Sequence, residues 1–229
     1  MHLTDKLYDT FIVDDRWKYL ASGLKTTLII TFFAVIIGMV LGFLIAIIRA
    51  TADRTGKLKI PNLLCKLYLT VIRGTPVMVQ LLIIYYVIFA SVRIDKTFVG
   101  ILAFGLNSAA YVAEIVRSGI MSIDSGQFEA GACLGLNYRR TMLYIILPQA
   151  FKNILPALAN ECIVLLKETS VAGYIALEDL TKGGDIIRSL TYEAFLPLIA
   201  VALIYLILVI TLSRLVTLLE RRLQKSDRG

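Results

Sequence analysis

Charge-free apolar runs span Leu28 to Ile48, Gly74 to Val92 and Ala194 to Ser213. Each approaches or exceeds the roughly 18 to 20 residues a helix needs to cross a bilayer. Two weaker runs are Phe98 to Ala113, continuing through Glu114 towards Arg117, and Asn153 to Leu166, interrupted by Glu161. The pattern predicts an all-α polytopic membrane protein: a single domain over 1–229 with five transmembrane helices at about 19–49, 66–92, 97–118, 152–170 and 194–219. Composition agrees, since 58% of the 229 residues are hydrophobic, against roughly 45 to 50% in soluble globular chains. The mean hydropathy is +0.77.

A net charge of +7 in so apolar a chain belongs beside lipid headgroups rather than nucleic acid. Cys65, Cys133 and Cys162 show no CxxC or Cys/His spacing, so they indicate packing residues, with no disulfide framework and no metal site. Asp5, Asp9, Asp14 and Asp15 stand where a secretory signal would be basic, so the first apolar segment is expected to stay in the mature chain. Trp17 and Tyr19 suit interfacial anchors before the first span.

Basic residues collect at Arg49, Arg54, Lys57, Lys59 and Lys66, and again at Arg214, Arg221, Arg222, Lys225 and Arg228. Positive loops stay cytoplasmic, which predicts an external N-terminus and a cytoplasmic C-terminus. The acidic segment 170–193 then lies outside, and 118–151 lies inside. No G-x-x-x-x-G-K-[ST] occurs, so nucleotide chemistry would belong to a partner chain.

Polar residues interrupt the spans at defined places. Arg73, Gly74, Thr75 and Pro76, followed by Gln80, predict a kink or break at the start of span two, of the kind that frees backbone groups near solute sites. A plain packing kink with Arg73 snorkelling is the alternative. In span three, Tyr111, Glu114 and Arg117 share a helical stripe, so Glu114 and Arg117, together with Arg73, are candidates for an internal ion pair or for solute contact. Span four carries Asn160, Glu161, Lys167 and Glu168. These read as a cavity lining, with carboxylates for a solute ammonium or guanidinium, or as a charged seam between helices or copies. Gly38 and Gly42 form G-x-x-x-G in span one, more often a sign of intramolecular packing than of a dimer face.

Between spans three and four, 125–148 carries a charged, glycine-punctuated pattern. Gln127 to Leu134 predicts one short helix and Gly135 a turn. Asn137 caps a second helix reaching Leu147, and Pro148 breaks it or restarts the chain into span four. An amphipathic hairpin resting in the interface, with Arg139 and Arg140 on lipid phosphates, is the bland alternative.

Glu129, Ala130, Gly135, Ile145, Leu147 and Pro148 match at each spacing the E-A-A, three residues, G, nine residues, I-x-L-P loop of ATP-driven importer permeases, with Gly131 in place of the second alanine. KTTLIITFFAVIIGMVLGFLIA, RGTPVMVQLLIIYY, AAYVAEIVRSGI and NECIVLLKETSVAGYIALEDLT extend the likeness over about four fifths of the chain. The chain thus resembles the permease subunits of polar amino-acid ABC importers of the histidine, arginine and glutamine type. The resemblance implies a type I importer core in the inner membrane of a prokaryote, with Glu129, Ala130, Gly131, Gly135, Leu147 and Pro148 as the coupling element. It also implies a cytoplasmic ATPase dimer that binds ATP and Mg, a second permease subunit, identical or not, and an extracytoplasmic solute-binding protein. Such a permease is no enzyme and holds no cofactor. Gly74, Thr75, Pro76, Gln80, Tyr111, Asn160, Glu161, Lys167 and Glu168 are its candidate solute residues, and the acidic ones lean towards a basic amino acid.

The rival reading is an ion-coupled secondary transporter or channel subunit, with Glu114, Glu161 and Lys167 as an ion relay. Such carriers commonly need more spans or an inverted repeat. A third reading is a membrane assembly protein whose charged seam only holds subunits together.

Overall fold

The computed structural model describes residues 3–225, so Arg228 of the basic tail lies outside the described residues. The short helix α1 (Leu3–Leu7) and a π turn (Tyr8–Ile12) precede α2 (Trp17–Thr55), α3 (Lys59–Gly74) and α4 (Val77–Ile83), the last continued by a π turn, Ile84–Ile88. Next come α5 (Lys96–Met121), α6 (Gly126–Cys133) and α7 (Tyr138–Thr141), a π turn at Met142–Ile146, then α8 (Leu147–Glu168) and a 3-10 helix, Thr169–Ile175. Helices α9 (Leu180–Thr191) and α10 (Phe195–Lys225) complete the chain. The protein is all-α, with four helices among the described residues long and apolar enough to cross a membrane, and five if the bent α3–α4 pair crosses as one span.

The core is the contact of α2 with α5. Gly38 and Gly42 serve it: a Cβ on Gly38 would lie 2.8 Å from Ser108 Oγ, and one on Gly42 2.5 Å from Val112 Cγ1. The G-x-x-x-G motif is therefore used within the chain. Above it, Ile30, Ala34, Val99, Ala103 and Phe104 are fully or almost fully buried. Asp95 starts α5 by accepting the Phe98 N–H at 3.1 Å, as an N-cap aspartate does.

Three boundaries depart from the sequence pattern. The first span runs on to Thr55 and ends at Gly56, whose φ of +64° stops the helix. The expected basic loop from Arg49 shrinks to Gly56–Leu58, because charged residues flanking a span continue its helix where a left-handed glycine follows several residues later. The outer segment is no loop either. Asp179, fully buried, accepts the Thr181 and Lys182 N–H groups and starts the amphipathic α9. On α9 the Lys182 and Arg188 side chains hold the Asp185 carboxyl below its ordinary range. Third, α7, its π turn and α8 follow one another without a gap from Tyr138 to Glu168, so Pro148 breaks nothing. It stands at the start of α8, directly after the π turn Met142–Ile146.

Candidate functional site

The break in span two is built as its residues suggest. After Gly74 the chain leaves the helix at Thr75 and Pro76, and α4 departs at 112° to α3. The carbonyls released there do not stay free. Gln80 Nε2 donates to Ile72 O at 2.7 Å, Thr75 O at 3.0 Å and Thr75 Oγ1 at 2.8 Å, while Thr75 Oγ1 donates to Val71 O at 2.8 Å. Asn107 of α5 then fixes Gln80 by donating Nδ2 to its Oε1 at 3.0 Å. The buried Gln80 is thus engaged within the fold, and Asn107 is its anchor.

Beside this break lies a cavity of about 430 Å³, within the roughly 300 to 1,000 Å³ of small-molecule sites. Arg73, Tyr111, Glu114 and Glu161 are the charged and aromatic members of its lining, and Ser118, Ser122 and Asn153 extend it towards the hairpin. Glu161 is buried on α8 and accepts a hydrogen bond of 2.9 Å from Ser108 Oγ. Among the described residues, no lysine or arginine nitrogen comes within 4.0 Å of its carboxylate.

Glu114 sits within a cationic cluster. Arg73 approaches it at 3.4 Å, Arg117 at 3.7 Å and Arg49 at 3.8 Å. Three guanidiniums share one carboxylate, which leaves the cluster with surplus positive charge beside the cavity. The Arg73 guanidinium also lies 5.9 Å from the centre of the Tyr111 ring, in range for a cation–π contact. Arg49 was legible in the sequence only as a loop charge, and its part in this cluster follows from the longer first helix.

The remaining candidates on α8 part company. Asn160 faces a separate groove with Ser213, Thr217 and Glu220 of α10. Lys167 is exposed, and Glu168 is half-buried two turns along from Glu161. Only Tyr111 and Glu161, of the residues first read as solute contacts, reach the cavity. Ser108 and Asn107 had no signal beyond being polar in an apolar run.

The hairpin closes at Gly135, whose φ is +72°, and Asn137 caps α7 by accepting the Arg140 N–H at 3.1 Å. Glu129 and Ala130 are exposed on α6, while Gly131 is buried against α7. A Cβ on Gly131 would stand 2.6 Å from Thr141 Cγ2. The departure from the alanine of the loop pattern therefore has a local cause, and Gly131 shapes the hairpin from within instead of presenting an outer surface. Phe128 and Tyr138 stack across the turn at 6.1 Å. Leu147 and Pro148 stand where the hairpin passes into α8.

Residues 38–225 match the family model of binding-protein-dependent transport system inner membrane components. The chain is 38% identical to the arginine transport system permease protein ArtQ of Bacillus subtilis, over 91% of this chain and 94% of that one. It is 37% identical to a putative glutamine transport system permease protein GlnP of Rickettsia typhi, over 90% and 93%. It is 36% identical to the L-cystine transport system permease protein TcyB of B. subtilis, over 91% and 88%. Among solved structures, an amino acid ABC transporter with histidines superposes with a TM-score of 0.84 at 44% identity, covering 93% of this chain and 98% of that one. The MetNI methionine ABC transporter shares the fold, with a TM-score of 0.74 at 20% identity, over 90% and 96%. The chain belongs to the inner-membrane components of binding-protein-dependent transport systems, and within them it is a permease subunit of an amino-acid ABC transporter, not an enzyme.

Proposed function

We propose that the cavity between α3, α5 and α8 holds the transported solute, and that this solute is a polar α-amino acid. The observation that carries the reading is the opposition of charge across one cavity: the Glu161 carboxylate, bonded only to a neutral hydroxyl, against Arg73 and its surplus-positive cluster. An α-amino acid brings a carboxylate for Arg73 and an ammonium for Glu161. The likeness to an arginine transport system permease and to an amino acid ABC transporter solved with histidines supports that class.

The family and the surfaces support a reading of the machine around the cavity. The hairpin with exposed Glu129 and Ala130 docks a cytoplasmic ATPase dimer that binds ATP and Mg, and a solute-binding protein delivers the amino acid from outside. A second permease subunit packs along the groove of Asn160, Ser213, Thr217 and Glu220, because polar side chains at membrane depth face a partner or a water-filled path rather than lipid. A hairpin that docks the ATPase lies in the cytoplasm, and with five spans the N-terminus is then outside and the C-terminus inside. Uptake by the reconstituted complex, competed by a panel of arginine, lysine, histidine, glutamine and glutamate, tests the solute class. Competition by the basic members supports it, and indifference to every α-amino acid contradicts it.

A further inference from the structure

The hairpin is tied to the spans by more than chain connectivity. Gln149, the residue after Pro148, donates its side-chain amide to Ile145 O at 2.8 Å and to Gln127 Oε1 of α6 at 3.3 Å. One turn further along α8, Asn153 Nδ2 donates to Ser122 Oγ at 2.9 Å, and that hydroxyl donates to Gly119 O at 2.8 Å. Residues four apart lie on one face of a helix, so a single stripe of α8 holds both α6 and the inner end of α5. At the adjoining position α5 and α8 approach closely: a Cβ on Gly119 would fall 2.2 Å from Ile154 Cγ1. The Gln149 and Asn153 bonds lie at exposed positions, where water competes and the net gain in stability is small. Their consequence is geometric. They join α6, the end of α5 and the start of α8 into one block.

We propose that Gln149 and Asn153 are positioning residues for coupling, which convert displacement of the hairpin into movement of α8 against α5. Helix α8 runs from these residues past Pro156 to Glu161, eight positions beyond Asn153, or about 12 Å of helix at about 1.5 Å per residue. Force applied at α6 therefore reaches the cavity wall through α8. Without the two ties, α6 acts on α8 only through its packing on α7, Gly131 against Thr141, and the end of α5 loses its hydrogen bond to α8. The inference rests on the reading that the hairpin docks the ATPase.

The test is the ratio of amino acid transported to ATP hydrolysed, measured on the complete complex in proteoliposomes. Gln149→Ala and Asn153→Ala are each expected to lower that ratio about two- to threefold, the low end for one lost hydrogen bond, while the ATPase still co-purifies. Gln127→Ala added to Gln149→Ala should lower it no further, because the two act as one pair. Exchange of the other pair, Ser122→Asn with Asn153→Ser, should recover part of the loss. Should Asn153→Ala fail to accumulate, Ser122→Ala removes only the hydroxyl and reads the same tie. A wild-type ratio in Gln149→Ala and in Ser122→Ala overturns the proposal. Failure of the wild-type chain to retain any ATPase would instead overturn the docking reading beneath it.

Discussion

Ser108 Oγ donates a hydrogen bond of 2.9 Å to Glu161 Oε1 across the α5–α8 contact. A carboxylate buried at membrane depth is costly unless it has partners, and a neutral hydroxyl leaves its charge uncompensated. In the proposed solute site, Glu161 is the group that receives the cation. Glu161→Gln should raise the KM for the amino acid by about 10- to 100-fold, the range expected when a hydrogen bond to a charged group worth about 1.5 to 3 kcal/mol is lost. Ser108→Ala should produce a smaller rise. Uptake kinetics at saturating ATP would show both, and an unchanged KM in Glu161→Gln would remove this residue from the site.

The hairpin makes a compensation prediction. Gly131→Ala places a methyl group against Thr141, and such overpacking costs about 1 to 3 kcal/mol. The variant should lose ATPase in pull-down experiments. Thr141→Ala in the same chain clears the collision and should restore it, whereas equal binding by all three forms would show that the hairpin does not need this fit.

Gly42, in the α2–α5 core, and Gly74, at the end of α3, supply a stability contrast. Gly42→Ala meets Val112 Cγ1 and the Ala109 carbonyl, while Gly74→Ala meets nothing within 4 Å. Thermal unfolding in detergent should show a loss of about 1 to 3 kcal/mol for the first and little change for the second. The reverse order would mean that the two helices do not approach as described.

Gln80 predicts a third pattern of loss. Gln80→Leu removes the partner of Ile72 O, Thr75 O, Thr75 Oγ1 and Asn107 Nδ2 at one stroke. Each buried group left unsatisfied costs about 1 to 3 kcal/mol. The variant should be destabilised more than Asn107→Leu, which leaves the three contacts within the break intact. Equal melting temperatures would deny Gln80 its role as the pin of the break.

These residues show what was legible beforehand. The spans, the break at Gly74 to Pro76, the Gly135 turn and the Asn137 cap follow from local signals: apolar length, proline without a donor, a left-handed glycine and a capping amide. Glu114 with Arg73 and Arg117 was legible from helical spacing and the cost of unpaired charge. Arg49 was not, because its membership depends on where α2 stops, which a left-handed Gly56 decides. Helix α9 was missed because its start is fixed by Asp179 packed against α2, where a Cβ on Gly23 would lie 2.5 Å from the Asp179 carbonyl oxygen. That is a tertiary fact, as is the inward turn of Gly131. Asn160 and Glu161 are neighbours in sequence yet face different grooves, a separation that helical phase predicts but whose occupants only the packing reveals.

ATP-driven import is tested most directly by uptake of a basic amino acid into proteoliposomes that hold the complete complex, with ATP supplied on the hairpin side and no ion gradient. Uptake should require ATP and the solute-binding protein, and Glu129→Lys in the exposed face of α6 should abolish it. Uptake driven by an ion gradient without ATP, or undiminished in Glu129→Lys, would contradict this mechanism.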